Sequence, residues 1–226
     1  MGAMFATSSD GVRIAYEVHG TGPVLLLLHG FSNDRSLWTK HGWIAHLQRA
    51  FTVITMDMRG CGDSDAPLAP DAYQVEQHLA DVNAVADACH VNQFRLWGWS
   101  FGGTLGLHLA ARSPRLRRAV VAGTYFGRLF TDAYVQRRLA ETVQPVARAR
   151  WQGVHSWPGI EPQDIQCPML VYTGTADGNT VGHLQQQRAA MEAAGVSLHI
   201  LHNLNHGGLV SAVDVVVPLI LPFLQS

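Results

Sequence analysis

A serine set between glycines stands at the end of an apolar run, in Gly98-Trp99-Ser100-Phe101-Gly102, with Gly103 following. Composition alone would produce about 0.1 match to G-x-S-x-G in this chain, so the surroundings of the motif decide its meaning. A sharp strand-to-helix turn forces such a serine into a strained conformation, and only small neighbours let the chain bend there. Because a serine hydroxyl is a poor nucleophile at neutral pH, it needs a base to take its proton and a carboxylate to hold that base in one tautomer. His206, in Leu204-Asn205-His206-Gly207-Gly208, is the base expected. Asp177, in Thr175-Ala176-Asp177-Gly178, is the acid expected, with Asp132 as its best rival. Negative charge developing on an attacked carbonyl requires backbone donors. The N–H of Phe101 directly follows the serine, and the N–H of Phe31 lies in His29-Gly30-Phe31.

Converging these groups requires a scaffold whose loops meet at one edge. Short β-rich runs near 4–8, 12–18, 23–29, 52–57, 94–99, 118–124, 168–174 and 197–202 alternate with amphipathic stretches near 36–49, 76–89, 101–112, 182–194 and 209–224. Such alternation predicts an α/β fold, a mostly parallel sheet with helices on both faces. Val24 to Leu28 and Met169 to Thr173 are continuously apolar, as strands buried on both faces should be. In open sheets of this kind, functional groups gather at the carboxyl ends of strands. Ser100, Asp177 and His206 each follow one. About forty residues between Thr124 and Pro168 break the alternation and read as an inserted helical lid. Within it Val135, Leu139, Val143 and Val146 form a helical stripe that Pro145 would kink or end.

The 226 residues are 47% hydrophobic and 15% charged, which fits one folded domain over 1–226 and excludes a disordered chain. A formal charge of -1 gives no reason to expect a nucleic-acid partner. Cys61, Cys89 and Cys167 are single and odd in number, as in a reduced, cytoplasmic protein. The first residues lack the basic and apolar regions of an export signal. The sixteen-residue apolar stretch from Leu209 to Leu224 is interrupted by Asp214, Pro218 and Pro222, so no membrane span is expected. Twelve histidines invite a metal site, yet His199 and His202 should face opposite sides of a strand and H-E-x-x-H is absent. No metal or cofactor is expected. Trp99, Tyr125, Phe126 and Phe130 are the aromatic residues expected to line an apolar pocket, with Trp151 and Trp157 equally placed for pocket or core.

With these motifs assembled, the chain resembles the α/β-hydrolase superfamily along essentially its whole length. It resembles especially the small cofactor-free serine members, such as carboxylesterases, pimeloyl-ester esterases, enol-lactonases and haloperoxidase-like perhydrolases. The likeness rests on His29-Gly30, on Asp57-x-Arg59-Gly60-x-Gly62-x-Ser64, on the turn at Ser100, and on Asp177 and His206. It implies eight mostly parallel strands and a cap after the sixth, here 126–166. Two features depart from it: the cap is short, and Cys61 occupies a loop position often held by histidine.

The resemblance implies hydrolysis of a small carboxylic ester, a lactone or a thioester through an acyl-enzyme. Alternatives are cleavage of a C–C bond in β-diketone-like substrates by the same three residues, or a ligand-sensing module without turnover. Dehalogenase and epoxide hydrolase relatives need a carboxylate where Ser100 stands. Hydroxynitrile lyases of this fold use a cap lysine, whereas the single lysine here is Lys40. Between Arg112 and Arg150 lie nine arginines against Asp132 and Glu141, a local charge of 9 - 2 = +7. If lid arginines 128, 137, 138, 148 or 150 overhang the pocket, substrates carrying a carboxylate gain an advantage. A solvated face is the ordinary alternative.

Overall fold

The computed structural model describes residues 2–226, with the side chain of Asn179 excepted. Eight strands, β1 (Met4–Thr7), β2 (Arg13–His19), β3 (Val24–Leu28), β4 (Thr52–Met56), β5 (Phe94–Trp99), β6 (Leu116–Ala122), β7 (Met169–Gly174) and β8 (Val196–Leu201), form one sheet in the order β1-β2-β4-β3-β5-β6-β7-β8. β1–β2 and β2–β4 pair antiparallel; every other pair is parallel. Each strand end lies within two residues of its expected position.

Alternation along the strands divides the apolar side chains between two cores. Leu26, Leu28, Leu96, Val121 and Val171 face α3 (Val75–Ala88), α4 (Phe101–Arg112) and α7 (Gly178–Ala193). Leu25, Leu27, Trp97, Val120 and Tyr172 face α1 (Ser36–Lys40), α2 (Trp43–Leu47), α8 (Gly208–Ser211) and α9 (Val213–Gln225). With helices on both faces, β3 and β7 are covered on both sides, which explains their unbroken apolar sequences. The helix expected over 36–49 is two helices, because Gly42 at φ 82 reverses the chain between them. No helix of the described residues is long and apolar enough to cross a membrane.

The β6–β7 connection carries α5 (Asp132–Glu141) and α6 (Pro145–Val154). Pro145 starts α6, where its missing N–H has no partner to lose, so the expected stripe ends rather than kinks. Val135 is buried, but Val143 lies in the gap between the helices and is 83% exposed. The connection packs onto the sheet through Phe126, Phe130, Trp151 and Trp157, all inside the larger core.

The positive stretch is neutralised only in part. Arg112 pairs with Glu76 and Arg115 with Asp87, both on α3. Arg128 pairs with Asp132, and Arg138 with Glu141. Arg148 donates to the Leu139 and Thr142 carbonyls at 2.7 and 2.9 Å, at the end of α5. Of the lid arginines, Arg128, Arg138 and Arg148 are therefore engaged by neighbouring residues.

Candidate active site

The turn between β5 and α4 places Ser100 at φ 57, ψ -117, a left-handed backbone uncommon for a residue with a side chain. Its N–H donates to the Ala122 carbonyl at 2.7 Å, and the Gly102 N–H to the His29 carbonyl at 3.0 Å. The turn is thereby tied to β6 on one side and β3 on the other. A Cβ at position 102 would stand 2.1 Å from the Leu28 carbonyl oxygen, so only glycine permits this contact. Local strain is thus held by packing that the sequence supplies at the neighbouring positions.

Asp177 sits at the start of α7, three residues beyond β7, and is 4% exposed. Thr173 Oγ1 donates to its Oδ2 at 2.9 Å, while Oδ1 meets His206 Nδ1 at 2.9 Å. A carboxylate accepting at Nδ1 places the ring proton there, leaving Nε2 free to accept. Nε2 lies 2.9 Å from Ser100 Oγ. The histidine loop is anchored by Trp99, whose Nε1 donates to the His206 carbonyl at 3.1 Å, and by Asn205 Oδ1, which accepts from the Gly208 N–H at 2.8 Å. Beneath the ring, Gly123 at φ 64 leaves space that a Cβ would fill at 2.8 Å from His206 Cε1.

Phe31 and Phe101, the residues expected to offer backbone donors, both line the same cavity as Ser100. Phe101 opens α4, so its N–H has no intrahelical acceptor; among the described residues none is found for Phe31 N–H either. The Phe31 loop is fixed by His29. The Met58 N–H donates to His29 Nε2 at 3.1 Å, so Nδ1 carries the proton and donates to the Gly30 carbonyl at 2.7 Å. Burial holds this imidazole down to about 4. The glycine-rich loop after β4 is scaffolding as well: Ser64 Oγ donates to the Asp57 carbonyl at 2.7 Å, and Asp57 binds Arg35 and the Asp63 N–H. Buried Arg59 pairs with Asp81 and Asp10 at 2.6 and 2.7 Å.

Ser100 and His206 open onto a cavity of about 260 Å³. Its walls include Phe31, Phe101, Tyr125 and Phe130, together with Leu129, Tyr134, Arg137, Trp151, Thr180 and His183. Trp99 and Phe126 do not line it. The Trp99 indole turns against Gly30 to hold the His206 loop, and Phe126 is 1% exposed within the core. Trp157 is likewise core, with its Nε1 on the Tyr73 carbonyl, whereas Trp151 reaches the cavity. Asp132 is far from this chemistry in its bonding: it accepts from His155 and Arg128 at the surface.

Tyr134, one turn before Arg137 on α5, was not expected at the pocket from the sequence, and Arg137 was expected there only as one of five lid arginines. Their three-residue spacing marks a shared face, but nothing local tells which face meets the cavity. Arg137 has no ion-pair partner among the described residues; its guanidinium lies 5.3 Å from the Tyr134 ring. Among the described residues, no carboxylate lines the cavity. No three metal-ligating side chains gather among the described residues.

A mixed eight-stranded sheet, a strained serine after β5, and an acid and a histidine after β7 and β8 define the architecture of an α/β hydrolase. The chain belongs to that family, whose alpha/beta hydrolase fold pattern matches residues 23–152. Among curated relatives it is 34% identical over 104 residues to an uncharacterized hydrolase, YraK, of Bacillus subtilis, covering 46% of this chain and 38% of the relative. It is 31% identical over 125 residues to a putative 2-succinyl-6-hydroxy-2,4-cyclohexadiene-1-carboxylate synthase of the same organism, covering 54% and 44%. The chain thus matches less than half the length of these relatives. Among solved structures it resembles an enol-lactonase from Burkholderia xenovorans LB400, with TM-score 0.81, 23% identity and coverage of 99% and 100%. An esterase from Exiguobacterium antarcticum gives 0.82 and 18%, with both chains fully covered. At these identities the structural likeness speaks for the fold.

Proposed function

We propose that this chain is a serine hydrolase of small carboxylic esters, lactones included, working through an acyl-enzyme. The observation that carries the reading is the unbroken hydrogen-bonded series Asp177–His206–Ser100. Ser100 Oγ attacks the ester carbonyl while His206 Nε2 takes its proton, and Asp177 stabilises the imidazolium without becoming protonated. The carbonyl oxygen, now negative, receives hydrogen bonds from Phe31 and Phe101 N–H. As the tetrahedral intermediate collapses, His206 returns the proton to the leaving alkoxide, and water repeats the sequence on the acyl-enzyme. No step calls for a metal or cofactor.

Residues 126–166 act as a short cap over the pocket. A cavity of about 260 Å³ is slightly smaller than those that enclose drug-sized ligands. With mostly aromatic and aliphatic walls, it fits a short acyl or lactone group. Arg137, the one Lys, Arg, Asp or Glu on the wall among the described residues, favours a substrate that bears a carboxylate away from the scissile bond.

A series of p-nitrophenyl esters from acetate to decanoate tests the reading. Turnover should peak among the short chains, and Ser100→Ala should abolish the acyl-enzyme and lower kcat by several orders of magnitude. An alanine variant within tenfold of wild type would overturn it.

A further inference from the structure

Arg150 is 5% exposed, yet no carboxylate pairs with it and its Nε and Nη2 have no acceptor among the described residues. A buried charge in this state is costly, and cores retain such features where function demands them. Its surroundings offer no compensation at pH 7. Burial raises the Cys61 thiol and holds Tyr73 up at about 12, while His29 and His78 are held down to about 4 and about 3. All four titratable groups beside the guanidinium are therefore neutral.

What the guanidinium does touch is specific. Its Cζ lies 3.8 Å from the centre of the Phe31 ring and 5.9 Å from that of Phe101. These rings meet edge to face at 5.3 Å. They belong to the two residues expected to offer backbone donors, both lining the cavity with Ser100. The next residue of α6, Trp151, stacks on Phe31 at 3.8 Å with the planes 15° apart. One ring cannot accept two such partners on the same face, so Arg150 and Trp151 hold it between them.

We propose that Arg150 is a positioning residue for the oxyanion hole: it clamps Phe31 against Trp151, and its uncompensated charge makes that site more receptive to negative charge. This inference rests on the serine hydrolase reading. A charge in a poorly solvated environment acts over a longer range than one in water, and it need not reorganise when the carbonyl oxygen becomes negative. Core packing alone would not require a cation here. Methionine would fill a similar volume without the desolvation penalty.

The reaction of Ser100 with diethyl p-nitrophenyl phosphate separates the possibilities, because it requires the nucleophile and the hole but no native substrate. The Ser100 Oγ–P bond forms, the P–O(aryl) bond breaks, p-nitrophenolate departs with the electron pair, and the serine proton passes to His206. Wild type should release one equivalent and Ser100→Ala none. Arg150→Met should slow this burst by about tenfold, less than loss of a direct oxyanion donor, with a melting temperature equal to or above wild type. Arg150→Lys, which keeps the charge, should recover the rate to within about threefold of wild type. With a p-nitrophenyl ester, Arg150→Met should lower kcat and leave KM within about threefold.

A wild-type burst together with an unchanged Arg150→Met rate would overturn this role while sparing the hydrolase reading. A lysine variant as slow as methionine, or a methionine variant that fails to fold, would also overturn it. Absence of any wild-type burst would overturn both.

Discussion

Mild acid should unfold this protein, because three histidines are built into its interior in the neutral form. Burial holds His29 down to about 4, and His78 and His108 to about 3, against about 6.5 for an exposed imidazole. A basic group whose folded pKa is depressed binds fewer protons folded than unfolded. Its contribution is complete above pH 6.5 and is lost progressively as pH falls toward the folded value. At pH 5 the unfolded chain therefore carries about three more of these protons than the folded one. Each group withdraws about 1.4 kcal/mol per unit of pH, so 1.5 units below 6.5 the three together remove about 6 kcal/mol. That is comparable with the whole stability of many domains, about 5–15 kcal/mol. Asp57 and Asp81, raised by burial, work in the opposite direction and soften the loss as they take up protons. Urea unfolding at pH 7 and pH 5, followed by tryptophan fluorescence, measures the difference directly. His108→Gln should recover about 2 kcal/mol of the loss, one third of the total. A change below about 1 kcal/mol between the two pH values, or an identical loss in His108→Gln, would refute neutral burial as the cause.

Two further outcomes concern the site. Asp177→Asn keeps the shape of the side chain but presents a donor where His206 needs an acceptor, so kcat should fall by about 10⁴ with KM nearly unchanged. Single-substrate kinetics checks this, and a loss under tenfold would show that another acid orients the ring. A monomethyl dicarboxylate should exceed a neutral ester of equal length in kcat/KM by about three- to tenfold at 0.1 M salt, and by less at 1 M. Arg137→Ala should erase the preference; persistence in that variant would place the source of selectivity elsewhere.

Much of this architecture was legible in the chain because it is enforced locally. Strand runs such as Val24–Leu28 and residues 169–172 are apolar throughout, the pattern expected of strands covered on both faces. Ser100 could be located because its turn excludes side chains at Gly102, so backbone crowding leaves a trace in residue types. Asp177 and His206 were legible for a topological reason. Parallel strands point the same way, so the loops after β7 and β8 must emerge beside the loop after β5.

Which side chain faces the cavity and which faces the core was decided only in three dimensions. Trp99 and Phe126 have the types and positions of pocket residues, but the Trp99 indole is held by the His206 carbonyl more than a hundred residues away, and the Phe126 ring is buried in the core. Arg128, Arg137, Arg138, Arg148 and Arg150 are equivalent as letters, and the fold gives them different fates. Three are bound by neighbours, Arg137 is left at the cavity wall, and Arg150 is buried against Phe31. Periodicity and turn chemistry act over a few residues and so are written in the sequence. A partner is supplied by chain folding back from elsewhere, so charge pairing and cavity walls belong to the tertiary structure.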